Sequence, residues 1–306
     1  MQALASFVMR GVPQAVMVII LLAALSLLLP PASIFSAAAV ALVTLRSGAI
    51  PGVLILGLAT GVSGIIALFA LGGFNLAIGF LILLWLPAWL LALVLRSSRS
   101  LSLVVMGALL LGVVMIGGQF IQTGDPVAEW RSLLTPFVES LVEAQLVETS
   151  QQATLVSLMA SWMPGIVAAG FFLQLLASLF IGRWWQSMLY NPGGFRAEFH
   201  QLRLPKVLAI VLLILVGMMF VQTGSGVSLV EYALVLLVSA WFIHGLALAH
   251  GVVGHLGSSS GWLIGIYLLL LFALPHTVIV LAVVGIADAW FDFRARLIQR
   301  GSGKAS

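Results

Sequence analysis

The sequence contains no Asp, Glu, Lys or Arg between Arg46 and Arg96. The whole chain follows this trend, because 62% of its residues are hydrophobic and 7% are charged, whereas soluble domains carry about 25% charged residues. A soluble core could not bury that much apolar surface, so the sequence predicts helices surrounded by lipid. Stretches of about 20 apolar residues recur, the length that crosses a hydrocarbon core of about 30 Å.

Nine apolar windows predict the fold class, which is all-α. We expect a polytopic transmembrane helical bundle with eight full or near-full spans and one proline-broken segment, giving nine to ten crossings. Proline removes a helical hydrogen bond, so Pro275 should divide the last window into short antiparallel pieces at about 262–274 and 276–290. The windows are residues 12–29, 34–45, 51–70, 75–95, 101–121, 153–182, 207–222, 229–249 and 262–288.

Basic residues predict the orientation in the membrane. Arg10, Arg46, the Arg96/Arg99 pair and the basic group within 183–206 lie in alternate loops, and the loops between them carry almost no Lys or Arg. Cytoplasmic loops are enriched in Lys and Arg. We therefore predict a protein of the bacterial cytoplasmic (inner) membrane, with its N-terminus and, after the broken segment, its C-terminus in the cytoplasm.

The same pattern predicts four parts of the chain. Residues 1–182 form a six-span half that contains an acidic outer loop at 122–152. Residues 183–206 form a cytoplasmic basic loop, residues 207–290 a C-terminal helical bundle, and residues 291–306 a basic cytoplasmic tail.

The acidic outer loop predicts an amphipathic helix on the membrane, because apolar residues recur at helical spacing between Leu134 and Val142. Two interpretations stay open: a lid over an outward cavity, or a solvated acidic face. In the lid, Phe137 and Leu141 would contact the cavity. Glu139 and Glu143 would face water or a cationic group of a solute.

Ionisable residues at membrane depth are candidate functional residues, because burying them is costly unless they are paired or face water. This class contains Glu231, His244, His250, His255, His276 and Asp288. Five and six residues separate His250 from His255 and from His244, so neither pair shares a helix face, and no HExxH motif is present. The sequence therefore predicts no metal site and no cofactor. A proton-relay role and simple packing at a helix end both stay open for the histidines.

The inner loop and the tail carry the remaining candidate residues. The loop "NPGGFRAEFHQLRLPK" opens with a turn signal and becomes basic, which favours attraction to anionic lipid or docking of another membrane protein. In the tail, Asp288, Asp292 and Arg296 should share one helix face, and Asp288 should pair with an inner-loop arginine such as Arg196 or Arg203. The candidates are Asn191, Pro192, Arg196, Arg203, Lys206, Asp288, Asp292 and Arg294.

Three sequence motifs resemble those of a known family. The inner-loop motif, "HGLALAH" at His244–His250 and "GIADAWFDFRARL" at Gly285–Leu297 resemble the YybS-like family of bacterial multispanning proteins. The first six windows also resemble substrate-binding subunits of energy-coupling-factor vitamin transporters, through a proline break, a short second helix and a Gly-rich stretch at 47–64. Those subunits dock a coupling protein through an Ala pair with small-xxx-small spacing, which occurs here at Ala37 and Ala41.

The function predicted from these features is binding or transport of a small hydrophobic or amphipathic solute, with membrane lipids as further partners. The alternative is a non-transporting scaffold or regulator that acts on other membrane proteins through the basic loop and tail. A net charge of +4 does not favour nucleic-acid binding.

A minor alternative is enzymatic. "GVSG" at Gly61–Gly64 and "AHGVVG" at Ala249–Gly254 resemble motifs of rhomboid intramembrane proteases, which implies Ser63 as nucleophile and His250 as its base. In rhomboids a Trp–Arg pair precedes the serine, whereas Trp130–Arg131 follows it here. We therefore expect no enzyme and no catalytic residue.

The phrases "FIQTG" at 120–124 and "FVQTG" at 220–224 are nearly identical. Both fall at predicted outer helix ends, where Gly can take the left-handed conformation that caps a helix. A parallel internal repeat is the second interpretation.

Overall fold

The computed structural model describes residues 1–221, 229–257, 259 and 261–296. This part of the chain is helical and contains no strand, as predicted. The helices are α1 (Gln2–Val8), α2 (Val12–Leu25), α3 (Ala32–Ser47), α4 (Ala49–Leu71), α5 (Asn75–Phe80), α6 (Leu86–Ser98), α7 (Leu101–Thr123), α8 (Pro126–Glu143), α9 (Gln152–Tyr190), α10 (Gly194–His200), α11 (Lys206–Val221), α12 (Leu229–His255), α13 (Gly261–Phe272) and α14 (Leu274–Phe291). A π-helical turn, Leu81–Trp85, joins α5 to α6, and a 3-10 turn, Thr149–Gln151, precedes α9.

Six helical segments of the described residues are long and apolar enough to cross a membrane, which is consistent with the predicted multispanning membrane protein. Three of the predicted spans form shorter helices: α2, α3 and α11 have 14, 16 and 16 residues. At 1.5 Å per residue they are about 21–24 Å long, less than a hydrocarbon core of about 30 Å. The expected total of eight full or near-full spans therefore stays a prediction. The six segments are Ala49–Leu71, Asn75–Ser98, Leu101–Thr123, Thr149–Tyr190, Leu229–His255 and Leu274–Phe291.

The predicted break at Pro275 is present. α13 ends at Phe272, and Ala273 has the non-helical angles φ −135° and ψ 44° before α14 begins. Pro275 lies in the first turn of α14, where its missing N–H leaves no intrahelical bond unmade. The two pieces are shifted by a few residues from the expected bounds, and their antiparallel arrangement stays a prediction.

The chain folds into two compact units. Residues 1–108 and 173–202 form the amino-terminal unit, and residues 109–172 and 203–306 form the carboxyl-terminal unit. The boundary predicted at 182/183 falls inside α9, which continues to Tyr190. Arg183 and the two tryptophans after it are therefore helical, and the inner loop begins at Asn191.

In the amino-terminal unit the core is built around α3. Eleven of its sixteen residues are buried, and five of these are alanine. Small side chains let helix backbones approach closely. A Cβ added at Gly182 of α9 would lie 2.8 Å from both the Ala38 carbonyl oxygen and the Ala41 Cβ. Ala37 and Ala41, the pair with docking spacing, are both 0% exposed and pack inside this unit.

Polar side chains link α2, α3 and the π-helical turn that precedes α6 inside this core. The Trp85 indole N–H donates to Ser36 Oγ at 3.0 Å, and Ser36 Oγ donates to the Ile19 carbonyl at 2.8 Å. Trp85 and Ser36 are 0% exposed, so each buried donor has the partner that an apolar interior requires.

The first of the two "F-x-Q-T-G" phrases caps a helix, as one interpretation predicted. α7 ends at Thr123, and Gly124 has a left-handed φ of 73° while its N–H donates to the Phe120 carbonyl at 2.9 Å. The second phrase lies largely outside the described residues.

Candidate functional site

The carboxyl-terminal unit is centred on the crossing of α12 and α14, where two glycines meet. A Cβ at Gly245 would lie 1.9 Å from the Leu281 carbonyl oxygen, and a Cβ at Gly285 would lie 2.7 Å from the Trp241 carbonyl oxygen. No side chain fits in either gap, so the two backbones are in direct contact. This crossing positions both the polar cluster and the cavity described below.

The polar cluster surrounds Asp288, which is 4% exposed. Its Oδ2 lies 3.1 Å from Nε2 of His244 and 3.3 Å from Nη2 of Arg294, and its Oδ1 accepts from the Phe293 backbone N–H at 2.9 Å. The Leu204 backbone N–H donates to Nδ1 of His244 at 3.4 Å. We call His244, Asp288 and Arg294 the Asp288 cluster.

The hydrogen bonds assign donor and acceptor roles to the two ring nitrogens of His244. A backbone N–H can only donate, so Nδ1 is the acceptor of the Leu204 N–H, and Nε2 donates to Asp288. Asp288 and Arg294 carry opposite charges and form an ion pair. Because the side chains of Asp288 and Arg294 are 2% and 10% exposed, the cluster is a nearly buried ion pair with a histidine that orients it.

A second ion pair lies next to this cluster. Nη1 and Nη2 of Arg203 each donate to one oxygen of Asp292 at 2.8 Å. These hydrogen bonds lower the pKa of Asp292 and raise the pKa of Arg203 from their ordinary values. Burial lowers the pKa of the Arg294 guanidinium, while the Asp288 charge opposes that effect.

These contacts correct the partners predicted for the tail. Asp288 is paired, as expected, but with His244 and Arg294 rather than with Arg196 or Arg203. The predicted common face of Asp288, Asp292 and Arg296 is also wrong, because α14 ends at Phe291 and Asp292 takes a left-handed φ of 44°.

A cavity of about 670 Å³ lies between α12, α13 and α14 in the same unit. Its wall is apolar except for Arg296, the one charged residue that the described part of the chain contributes. The Arg296 guanidinium carbon lies 5.6 Å from the centre of the Phe291 ring. The residues that line the cavity are Gly245, Leu248, Ala249, Val252, Val253, Leu256, Trp262, Ile266, Leu281, Val284, Phe293 and Arg296. We call it the α12–α14 cavity.

Of the membrane-depth candidates, His244 and Asp288 meet in the Asp288 cluster, whereas Glu231 and His250 lie elsewhere. Glu231 lies in the first turn of α12, thirteen residues before His244, or about 20 Å along the helix. His250 has its own partners: its Nδ1 lies 2.9 Å from the Leu246 carbonyl and its Nε2 lies 3.2 Å from the Tyr267 hydroxyl. The described residues contain no group of His, Cys, Asp and Glu side chains that could hold a metal ion.

The residues of the rhomboid resemblance have local partners. The Ser63 hydroxyl donates to the carbonyls of Ala59 and Thr60 in its own helix, at 2.6 and 3.2 Å. Ser63 belongs to the amino-terminal unit and His250 to the carboxyl-terminal unit. Serine hydroxyls commonly make such bonds to the preceding turn of a helix.

The acidic outer loop contains the predicted amphipathic helix, α8, which Asp125 caps by accepting from the N–H groups of Val127 and Ala128. Its buried side is centred on Val138, which is 0% exposed, whereas Phe137 is 51% exposed. Leu141 is half-buried, and Glu139 and Glu143 are exposed. The lid role of these residues stays a prediction.

Sequence reasoning missed the α12–α14 cavity, although a weak signal exists. Leu248, Val252 and Leu256 recur every four residues along α12, which is the pattern of one helix face. Trp262, Val284 and Arg296 come from other segments, so only the fold brings them to that face.

Comparisons with protein-family models, with curated proteins and with solved structures find no match for this chain.

Proposed function

We propose that this integral membrane protein binds a small amphipathic solute in the α12–α14 cavity. The solute has an apolar body and an acidic head group, as a fatty acid does. The cavity volume of about 670 Å³ falls within the range of about 300–1,000 Å³ typical of small-molecule sites. Its combination of an apolar wall with few polar groups is also typical of such sites.

Arg296 carries this proposal. It is exposed, and no carboxylate among the described residues lies within ion-pair distance of it. A guanidinium forms strong, geometrically specific bonds with a carboxylate, whereas the rest of the wall offers an acyl chain hydrophobic contact. Arg296 would therefore bind the acidic head group of the solute, and the apolar wall of the cavity would contact its apolar body.

The proposal extends to passage of the solute across a bacterial cytoplasmic membrane, with the N-terminus in the cytoplasm. It also includes membership of the YybS-like family. The alternating basic loops and the three quoted motifs support these parts of the proposal.

The alternative is a scaffold or regulator that attracts lipid or another membrane protein through its basic inner loop. Arg196 and Lys206 are exposed and form no ion pair within the described residues, which favours the scaffold alternative. Arg203 contributes less to the attraction of an anionic partner, because Asp292 already balances its charge.

The test uses a dansyl-labelled fatty acid and tryptophan-to-dansyl energy transfer on the purified full-length protein. Val284→Trp should abolish saturable binding by filling the cavity, whereas Val283→Trp, one position away and outside the lining, should bind as the native protein does. Arg296→Gln should weaken binding of the fatty acid about tenfold, the loss of one charge-assisted hydrogen bond. It should not weaken binding of a dansyl-labelled alkylamine, because Arg296 repels an ammonium group.

Melting temperatures within a few degrees of the native value are required of all three variants. Equal binding by Val284→Trp and the native protein would overturn the proposed site. If the native protein shows no saturable binding at all, the scaffold alternative replaces the proposal.

A further inference from the structure

A second cavity lies in the amino-terminal unit and is lined by four arginines. Its volume is about 590 Å³. The cavity lies between the C-terminal ends of α3 and α6, the last turns of α9, and α10. The lining residues are Leu45, Arg46, Leu95, Arg96, Arg99, Arg183, Gln186, Tyr190, Asn191 and Glu198. We call it the arginine cavity.

Three of the four arginines lie at the C-terminal ends of α3 and α6. Arg46 lies in the last turn of α3, with its guanidinium carbon 4.1 Å from the centre of the Tyr190 ring, a cation–π arrangement. Arg96 lies in the last turn of α6, and Nη1 donates to the carbonyls of Leu45 and Arg46. Arg99 caps α6 with a left-handed φ of 53°.

The inner loop closes the cavity by folding back on α9. The Ser187 hydroxyl donates to the Asn191 carbonyl at 2.7 Å and accepts from the Phe195 N–H at 3.1 Å. Gly193 permits this turn with a left-handed φ of 85°. The turn places Asn191 in the lining and brings Glu198 to Arg183.

The charges in this cavity do not balance. Glu198 accepts from Nε and Nη2 of Arg183 and so compensates that arginine. No carboxylate of the described residues lies within ion-pair distance of Arg46, Arg96 or Arg99. α3 and α6 both end here, and a helix C-terminus carries a partial negative charge. Arg96 binds the last α3 carbonyls and offsets part of it, so the cavity stays cationic.

We propose that the arginine cavity binds a phosphate group. Arginine is the residue best suited to a phosphate, because its planar fork of N–H donors matches two phosphate oxygens. Arg46 and Arg99 supply the uncompensated charge, and Arg96 contributes the guanidinium atoms that α3 does not use. This site goes beyond the proposed function and does not depend on it. The phosphate group can belong to a membrane phospholipid or to a soluble compound.

The experiment removes two cavity charges while sparing Arg96, which caps α3. The test variant is Arg46→Gln/Arg99→Gln. The control variant, Arg10→Gln/Arg196→Gln, removes two exposed charges from the same unit outside the lining. Like Arg46, Arg10 stacks on an aromatic ring, that of Phe7. Melting temperatures in phosphate-free buffer show that both variants fold.

Two arms separate the possible sources of the phosphate. In detergent, inorganic phosphate is titrated against chloride at equal ionic strength, and the midpoint of the rise in melting temperature is measured. In nanodiscs, the protein is compared in phosphatidylglycerol and in phosphatidylcholine, and native mass spectrometry counts the lipid molecules that remain bound. The test variant should bind at least about tenfold more weakly in the responding arm, as the loss of two charge-assisted contacts requires.

A response confined to the nanodisc arm assigns the group to a phospholipid, and one confined to the detergent arm assigns it to a soluble phosphate. In both cases the control variant must respond as the native protein does. No response in either arm, or equal loss in the test and control variants, overturns the proposal.

Discussion

Asp288 accepts hydrogen bonds from the imidazole of His244, the guanidinium of Arg294 and the backbone N–H of Phe293. A carboxylate taken out of water needs such partners, because its desolvation otherwise costs several kcal/mol. Asp292, four residues later, lies in a different environment: its side chain is 43% exposed, and its pair with Arg203 is accordingly weak. Two aspartates of one motif thus have different roles.

Replacing these two aspartates should therefore have unequal effects. Asp288→Ala removes the carboxylate that pairs with the nearly buried Arg294, so we expect the free energy of unfolding to fall by about 3–5 kcal/mol. Asp292→Asn removes one exposed pair and keeps a residue that tolerates the left-handed conformation, so the loss should be under about 1 kcal/mol. Denaturation in mixed micelles measures both.

The double variant Asp288→Leu/Arg294→Met serves as a control, since it removes both charges and should recover much of the lost stability. Equal tolerance of Asp288→Ala and Asp292→Asn would show that Asp288 is simply hydrated.

At the scale of helices, direct backbone contact organises the carboxyl-terminal unit. α12 and α14 meet at Gly245 and Gly285, with no room for a Cβ on either side. Because apolar burial does not drive association between helices that lipid surrounds, close packing at small residues takes over that role. α13, by contrast, has no buried residue among those described.

Gly245→Ala should break the α12–α14 crossing. Its Cβ would lie 1.9 Å from a backbone carbonyl oxygen, which cannot move as a side-chain end can. We expect a loss of about 3 kcal/mol or more in the free energy of unfolding. Gly265→Ala in α13 is the matched control, since no described atom outside its own helix turn lies within 4 Å. It should be neutral or stabilising by up to about 1 kcal/mol. Equal melting temperatures for the two variants would contradict the crossing.

At the scale of the whole molecule, the distribution of charge predicts the side of the membrane on which each loop lies. The alternating basic loops predict that the inner loop and the tail are cytoplasmic and that α8 is outside. The chain has no cysteine, so single cysteines can be introduced and labelled without background.

Cysteines at Ser132, Ala197 and Ser302 test this topology. Ser132 in α8 and Ala197 in α10 are exposed, whereas Ser187 is 3% exposed and unsuitable. Ser302 lies outside the described residues. An impermeant thiol reagent should label only Ser132→Cys in intact spheroplasts, and permeabilisation should expose the other two. Labelling of Ser302→Cys from outside would mean that residues 261–291 cross the membrane once rather than twice.

Local chemistry in the sequence determined the class of this protein and several of its elements. The low share of charged residues predicted helices long enough to span a membrane. The missing N–H of Pro275 predicted a break, found at Ala273, and the spacing of apolar residues predicted α8. The break and the helix face depend on residues within about one or two helical turns, which is the range over which backbone hydrogen bonds and helix faces operate, and each span depends on a continuous stretch of about 20 residues.

The partners and the cavities were decided by the tertiary structure alone. Arg294 pairs with Asp288 after α14 has ended and Asp292 has taken a left-handed conformation, and a continuous helical pattern does not predict that helix end. The four arginines of the arginine cavity come from α3, α6 and α9, and in the sequence they indicated only the orientation of separate loops. Their common site depends on how helices distant along the chain pack, and packing is set by the shapes of side chains on both surfaces at once.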